Sequence, residues 1–278
     1  MALGELGMQM KDVMIGSIRG AGDLVGDTME VARDLTGDHL KRSGGAAGAA
    51  AGAVEDAVRG TIEAASEVRR DLGEVALGLV IGVLQGVDSV TAISADTVAD
   101  TVRAVITATR AVEGDLLRAA EAAVRGVVTG SPGLAIGMGE AVLGAGRGAM
   151  LGAAAAGGDP EAVAQKAMRG AIASAAAIDA DAVAAVRSTA RGLVQGAAAV
   201  RGDAGRVAGS AVAAAVKAAR ETGMDPERAA SAAGEGCMLG AQEVGAAAVT
   251  QVAGAVSGPI EGVEVVLPKT FARRKEPA

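Results

Sequence analysis

Residues 159–202 read DPEAVAQKAMRGAIASAAAIDA and then DAVAAVRSTARGLVQGAAAVRG, two successive units of 22 residues. Both units begin with Asp, carry Arg-Gly at positions 11 and 12, and have a β-branched apolar residue at position 14. The same period, started at Glu5, divides the chain into twelve units without a gap, ending at Pro268. Unit position 14 is apolar throughout: Ile18, Leu40, Ile62, Leu84, Ile106, Val128, Met150, Ile172, Val194, Val216, Met238 and Ile260. The pattern predicts an internal 22-residue repeat.

The unit starts carry the signals of helix N-termini. Asp occupies unit position 1 in seven units, as Asp27, Asp71, Asp115, Asp159, Asp181, Asp203 and Asp225. Pro follows two of them, at 160 and 226, and an Asp cap before Pro is typical of a helix start. Glycines just before these residues predict turns near Gly26, Gly114, Gly158, Gly202 and Gly223. Each unit therefore predicts a helix of about 17 to 19 residues and a short turn. Neighbouring helices would be antiparallel and paired in 44-residue hairpins.

A stripe of small residues separates the apolar face of each predicted helix from its charged face. Gly pairs four residues apart recur as Gly16/Gly20, Gly82/Gly86, Gly126/Gly130, Gly148/Gly152, Gly192/Gly196, Gly236/Gly240 and Gly258/Gly262. Such small-xxx-small spacing lets two helix backbones approach closely. We therefore expect an all-α fold, an array of about twelve short antiparallel helices that is solenoid-like or closed. Residues 1–268 would form this single domain, and residues 269–278 a basic tail.

A single continuous helix is the rival interpretation, because 22 residues in about six turns is close to the period of a straight α-helix. On this interpretation the chain is similar to the exchangeable apolipoproteins in its repeat length and in Pro160 and Pro226 near unit starts. The similarity is one of repeat period. The chain differs from that family in its mid-helix glycines and in having no Trp or Tyr and a single Phe.

The composition excludes several classes of function. A net charge of −7 and a single aromatic residue, Phe271, disfavour nucleic-acid binding. One cysteine, Cys237, excludes an intramolecular disulfide, and one histidine, His39, excludes His-rich metal sites. The chain has no stretch of about 18 apolar residues and no secretory signal, which predicts a cytoplasmic protein, peripheral at most to a membrane or complex. We predict no enzyme activity, cofactor or metal.

Five residues are candidates for contacts with a partner. Arg recurs at unit position 11, and Arg169 and Arg191 lack a carboxylate three residues earlier on their own helix. They are therefore the arginines most available to a partner. The final segment is first β-like and then basic, with Phe271 as an apolar anchor and Arg273 and Arg274 in the basic cluster. It is either a frayed terminus or a docking peptide for an acidic partner.

These features favour a non-enzymatic scaffold or a subunit of a larger assembly. The alternatives are an amphitropic coat on a membrane, lipid or polymer granule, and an apolar conduit or cavity for a lipophilic molecule such as a quinone. Self-association or a protein complex is expected, because solenoids normally end in polar capping repeats. Here the last unit, 247–268, is among the least polar, and the first carries Met8, Met10 and Met14.

Overall fold

Helices account for most of the chain. The computed structural model describes residues 3–44, 47–268 and 271. Within these residues the helices are α1 (Glu5–Ile18), α2 (Leu24–Arg42), α3 (Ala47–Glu67), α4 (Leu72–Asp88), α5 (Ala95–Ala111), α6 (Leu116–Gly130), α7 (Met138–Ala156), α8 (Pro160–Ala177), α9 (Ala182–Ala199), α10 (Ala204–Thr222), α11 (Pro226–Val244) and α12 (Ala246–Ala255). A 3-10 turn at Ser131–Gly133 follows α6, and an antiparallel hairpin of β1 (Pro259–Ile260) and β2 (Val263–Glu264) follows α12. The expected all-α array is confirmed.

The helices form two layers. α1, α3, α5, α7, α9 and α11 lie side by side in the odd layer, and α2, α4, α6, α8, α10 and α12 form the even layer. Each helix packs against helices two positions away in its own layer and against its chain neighbours in the other layer. Among the described residues, the first two helices do not pack against the last two. The array is therefore an open two-layer α-solenoid and not a closed ring.

Helix starts follow the Asp residues of the sequence pattern, except at α2. A side-chain cap that accepts a backbone N–H is formed by Asp71, Asp115, Asp159, Asp181, Asp203 and Asp225. α2 instead begins at Leu24, where the Asp23 carboxylate accepts from the Gly26 N–H at 2.9 Å. Asp27 and Gly26 both lie in the first turn of α2, so the turn expected near Gly26 is wrong. Asp23 is the first competent cap after α1 ends, and it starts the helix earlier.

The other expected turns, near Gly114, Gly158, Gly202 and Gly223, are present. In these four turns and in those after α3 and α8, the left-handed residue lies at unit position 21, which is Arg69, Glu113, Gly157, Asp179, Arg201 and Gly223. At the first five of these positions, the backbone N–H of the following residue donates to the carbonyl oxygen of the residue five positions before it. Gly114, for example, donates to Thr109 at 2.9 Å. This bond is that of a Schellman motif. In four of the turns the left-handed position carries a side chain.

The apolar face of the helices is buried between the two layers. At unit position 14, every residue from Ile18 to Met238 is at most 1% exposed. The last of the series, Ile260, lies in β1 and is half-buried. The face that the coat interpretation places on lipid is therefore the interior of the fold.

Glycines let neighbouring helices of one layer touch through their backbones. A Cβ atom added at unit position 12 would lie 2.0–2.4 Å from a carbonyl oxygen of the preceding helix in the layer at Gly60, Gly82, Gly148, Gly192 and Gly236. A side chain there would force the two helices apart. The pair Gly16/Gly20 differs, because a Cβ atom at either residue meets nothing within 4 Å.

The twelfth unit is only partly helical. α12 ends at Ala255, because Gly258 has φ of +89° and Pro259 lacks a backbone N–H, so neither continues the helix. Gly258 and Gly262 therefore lie in the hairpin segment and not in the helix contact that their spacing predicts.

Candidate interaction surfaces

The described residues contain a single thiol, that of Cys237, and it is buried. They include no group of three or more His, Cys, Asp or Glu side chains placed to hold a metal ion. Burial raises the pKa of the Cys237 thiol to about 12, so at neutral pH this thiol is protonated and shielded from solvent. Within the same part of the chain, no helix combines the length and the apolarity that crossing a membrane requires.

Ion pairs bridge neighbouring helices of each layer. In the odd layer, Arg187 of α9 pairs with Glu235 of α11 at 2.9 Å, and in the even layer Lys166 of α8 pairs with Glu121 of α6 at 3.0 Å. Further pairs of this kind are Lys11–Glu67, Arg118–Asp71, Arg147–Asp96 and Arg206–Glu161. Each partly exposed pair contributes at most about 1 kcal/mol. Much of the charged stripe is thus engaged within the chain.

Asp71 combines a helix cap with one of these ion pairs. Its carboxylate accepts from the N–H groups of Gly73 and Glu74 at 2.8 and 3.1 Å and from Arg118 at 2.8 Å. Partial burial raises the pKa of Asp71, but these hydrogen bonds and the Arg118 charge outweigh it and lower the pKa below its usual value. The stability that Asp71 contributes is therefore present above about pH 4 and is lost as the pH falls through the folded-state pKa.

Arg169 and Arg191, the predicted partner-binding arginines, are both paired within their layers. Arg169 Nε lies 3.2 Å from a carboxylate oxygen of Glu221, and Arg191 Nε donates to Glu243 at 3.1 Å. Gln195 also donates to Glu243. Both carboxylates lie on the next helix of the layer, 52 residues later in the chain. Residue spacing along one helix does not show carboxylates on the next helix of the layer, so the sequence did not predict these two ion pairs. A partner would have to displace these pairs.

The C-terminal segment covers α11 at the place where a further odd-layer helix would lie. The Val266 N–H donates to the Ser231 hydroxyl at 3.2 Å, and the Val265 side chain packs against Gly234. Ser231 of α11 and Arg187 of α9 both occupy unit position 7. On α9 this position contacts the next helix of the layer, so Ser231 marks where a further helix would pack on α11. The chain therefore caps the end of its own odd layer.

Phe271, the predicted anchor, is half-buried and packs against the core of its own chain. The hairpin before it is tied to α10 by an ion pair of 3.1 Å between Lys217 and Glu261. Arg273 and Arg274, the other two tail candidates, lie outside the described residues. Phe271 thus serves an intramolecular contact in the structure.

Two of the grooves between helices of one layer lie where unit position 12 is Ala instead of Gly. Ala214 lines a groove of about 230 Å³ between α8 and α10. Ala104 likewise lines a smaller groove of about 60 Å³ between α3 and α5. A Cβ atom at this position holds a helix away from its predecessor, whereas glycine allows backbone contact. Ala at unit position 12 thus accompanies these two grooves, whereas the groove between α4 and α6 lies where this position is Gly126.

The groove between α8 and α10 combines an apolar floor with a basic rim. Leu117 and alanines of both helices form the floor. Lys166, Arg169 and Lys217 line the rim, together with one carboxylate, that of Glu221. A second groove of about 400 Å³ lies on the same layer between α4 and α6 and has charges of both signs. The even layer therefore presents shallow clefts with charged edges.

The fold and these surfaces define the class of protein as an open, two-layer α-solenoid with ion-paired faces. No protein-family model matches the chain, and no curated protein sequence does.

Proposed function

We propose that this protein is a non-enzymatic scaffold that binds a partner protein along the surface of its helical array. The observation that carries the proposal is the burial of the apolar face, where unit position 14 is at most 1% exposed from Ile18 to Met238. The outside of the array carries ion pairs between neighbouring helices and shallow grooves. Such an extended surface is typical of the protein contacts that solenoids make.

The buried face argues against the two alternatives. A coat on lipid or on a polymer granule requires the helices to separate, and each exposed Leu or Ile side chain then costs roughly 1.5–3 kcal/mol until lipid covers it. A conduit for a lipophilic molecule requires a cavity lined by the same face. The grooves between α8 and α10 and between α4 and α6 instead open at the surface and are rimmed by charges.

The groove between α8 and α10 is the strongest candidate for the partner contact. Its alanine floor fits small apolar side chains, and Lys166, Arg169 and Lys217 favour carboxylates beside them. We therefore expect the partner to present an acidic amphipathic segment, which lays its apolar side into the groove. Its carboxylates would exchange with Glu121 and Glu221, which now pair with Lys166 and Arg169, and with Glu261, which pairs with Lys217.

Partner capture by the purified protein tests this surface. The double variant Lys166→Glu/Arg169→Glu reverses the charge of the rim without touching the pair between Lys217 and Glu261, and it should weaken binding of the captured protein by about tenfold or more. The matched control is Arg110→Glu, an exposed position in the last turn of α5 in the odd layer, and it should retain the partner. Circular dichroism verifies that all three proteins fold. Equal capture by all three would contradict the proposed surface.

Vesicle flotation separates a scaffold from a coat. Because the apolar face is already buried, neutral phosphatidylcholine vesicles and vesicles with anionic lipid should leave the helicity and the thermal midpoint unchanged. The floated fraction should contain no protein. Co-flotation together with a rise in helicity would overturn the scaffold and favour the coat.

A further inference from the structure

The first helix of the odd layer has a face without a neighbour. On α7, α9 and α11, the glycines at unit positions 12 and 16 pack against the preceding helix of the layer. In the first unit these positions are Gly16, on α1, and Gly20, in the turn after α1, and an added Cβ atom at either meets nothing within 4 Å. On the same helix Val13 is 42% exposed and Met8 is 54% exposed. We call the surface formed by Met8, Val13 and Gly16 the α1 edge.

The opposite end of the odd layer is occupied. Residues 263–268 lie along α11, with Val265 against Gly234 and the Val266 N–H bonded to Ser231. A second copy therefore cannot place its α1 edge on α11 in a head-to-tail stack. A second copy instead offers its own α1 edge, which is open. Contact between identical surfaces closes as a dimer with a twofold axis.

The charges of α1 are complementary to those of a second α1 in the antiparallel orientation. Glu5 and Arg19 lie at opposite ends of the helix, about 21 Å apart along its axis. Both side chains are exposed and neither forms an ion pair with another described residue. If two α1 helices cross antiparallel at Asp12, each Glu5 lies opposite the Arg19 of the other copy. The same register places each Met8 opposite the open Gly16.

We propose that two copies of this chain associate through their α1 edges, antiparallel about a twofold axis near Asp12. Met8 of each copy fills the notch at Gly16 of the other, and two Glu5–Arg19 pairs flank the contact. The two Asp12 carboxylates come close at the axis, and their repulsion weakens the dimer. The inference goes beyond the proposed function, because it uses a different surface from the groove between α8 and α10.

Sedimentation equilibrium of the full chain over a wide range of concentrations tests the dimer. The mass should rise from that of the 26.9 kDa monomer toward twice that value. Gly16→Leu should raise the dissociation constant by about 100-fold, because the leucine fills both notches of the twofold contact. The monomer should keep its fold, since the space at Gly16 is open. The matched control is Gly52→Leu, another open helical glycine, on α3, which should still dimerise.

A charge exchange tests the register. Glu5→Arg should weaken the dimer by about tenfold, and Glu5→Arg/Arg19→Glu should restore it. Asp12→Asn should strengthen it. A wild-type chain that stays monomeric, a dimer that Gly16→Leu leaves intact, or a charge exchange that does not restore binding would overturn the inference. None of these outcomes affects the groove, which partner capture tests separately.

Discussion

At the scale of single residues, the turns between helices hold side chains in a conformation that favours glycine. φ lies between +55° and +59° at Arg69, Glu113, Asp179 and Arg201. This left-handed conformation costs a residue with a Cβ atom about 1 kcal/mol. At Gly114, Gly158 and Gly202 the left-handed residue is the one before the glycine that indicated the turn, whereas at Gly223 it is the glycine itself. The Schellman bond imposes the conformation, so glycine alone could not locate it in the sequence.

Replacing two of these side chains by glycine should stabilise the fold. Glu113→Gly and Arg201→Gly should each raise the free energy of unfolding by about 0.5–1 kcal/mol, because relief of the strain exceeds the added chain entropy. Gly157→Ala at the equivalent position should lower it by a similar amount. Urea unfolding followed by circular dichroism measures the change. Glu113→Gln controls for the lost charge; if it stabilises as much as Glu113→Gly, backbone strain is not the cause.

At the scale of helices, local signals predicted most of what the structure contains. Each helix begins within three residues of a predicted unit start, because caps and prolines act over a few residues. The sequence pattern could not show which of two Gly-Asp pairs precedes α2, residues 22–23 or residues 26–27, because both carry the same capping signal. The early end of α12 could have been predicted from Pro259, because proline does not continue a helix. Ion-pair partners on the next helix and the grooves depend on layer packing, which no local pattern contains.

Unit position 12 should control the width of the groove between α8 and α10. Ala214→Gly removes the Cβ atom that holds α10 away from α8, so the two helix axes should move closer at a propensity cost of about 1 kcal/mol. A crystal structure of the variant measures the separation, and partner capture should fall as the groove narrows. Ala213→Gly has a similar propensity cost at a neighbouring groove residue and should leave the separation unchanged. Equal separations in both variants would show that position 12 does not set the width.

At the scale of the whole molecule, the two ends of the array differ. The last unit was expected to expose an apolar face, but it forms a short helix and then folds back over α11. Val263 is 8% exposed there, and Leu267 and Phe271 pack against the core. The first unit has no such cover, and its α1 edge is open. An array with one open end can pair with a second copy but cannot add further copies in a line.

Removal of the C-terminal cover should therefore convert a closed pair into an open polymer. Deletion of residues 259–278 uncovers α11 at Ser231 and Gly234, so the α1 edge of another copy gains a second, non-identical site, and such contacts do not close. Light scattering should detect species well above the mass of the dimer, and the loss of Val265 and Leu267 contacts should lower the thermal midpoint by about 5 °C.

Gly16→Leu in the same deletion should suppress the polymer, because it blocks the α1 edge. Deletion of residues 272–278 leaves the described cover in place and should behave as the full chain. If the longer deletion has the same mass distribution as the full chain, the segment is not what keeps a second copy from α11.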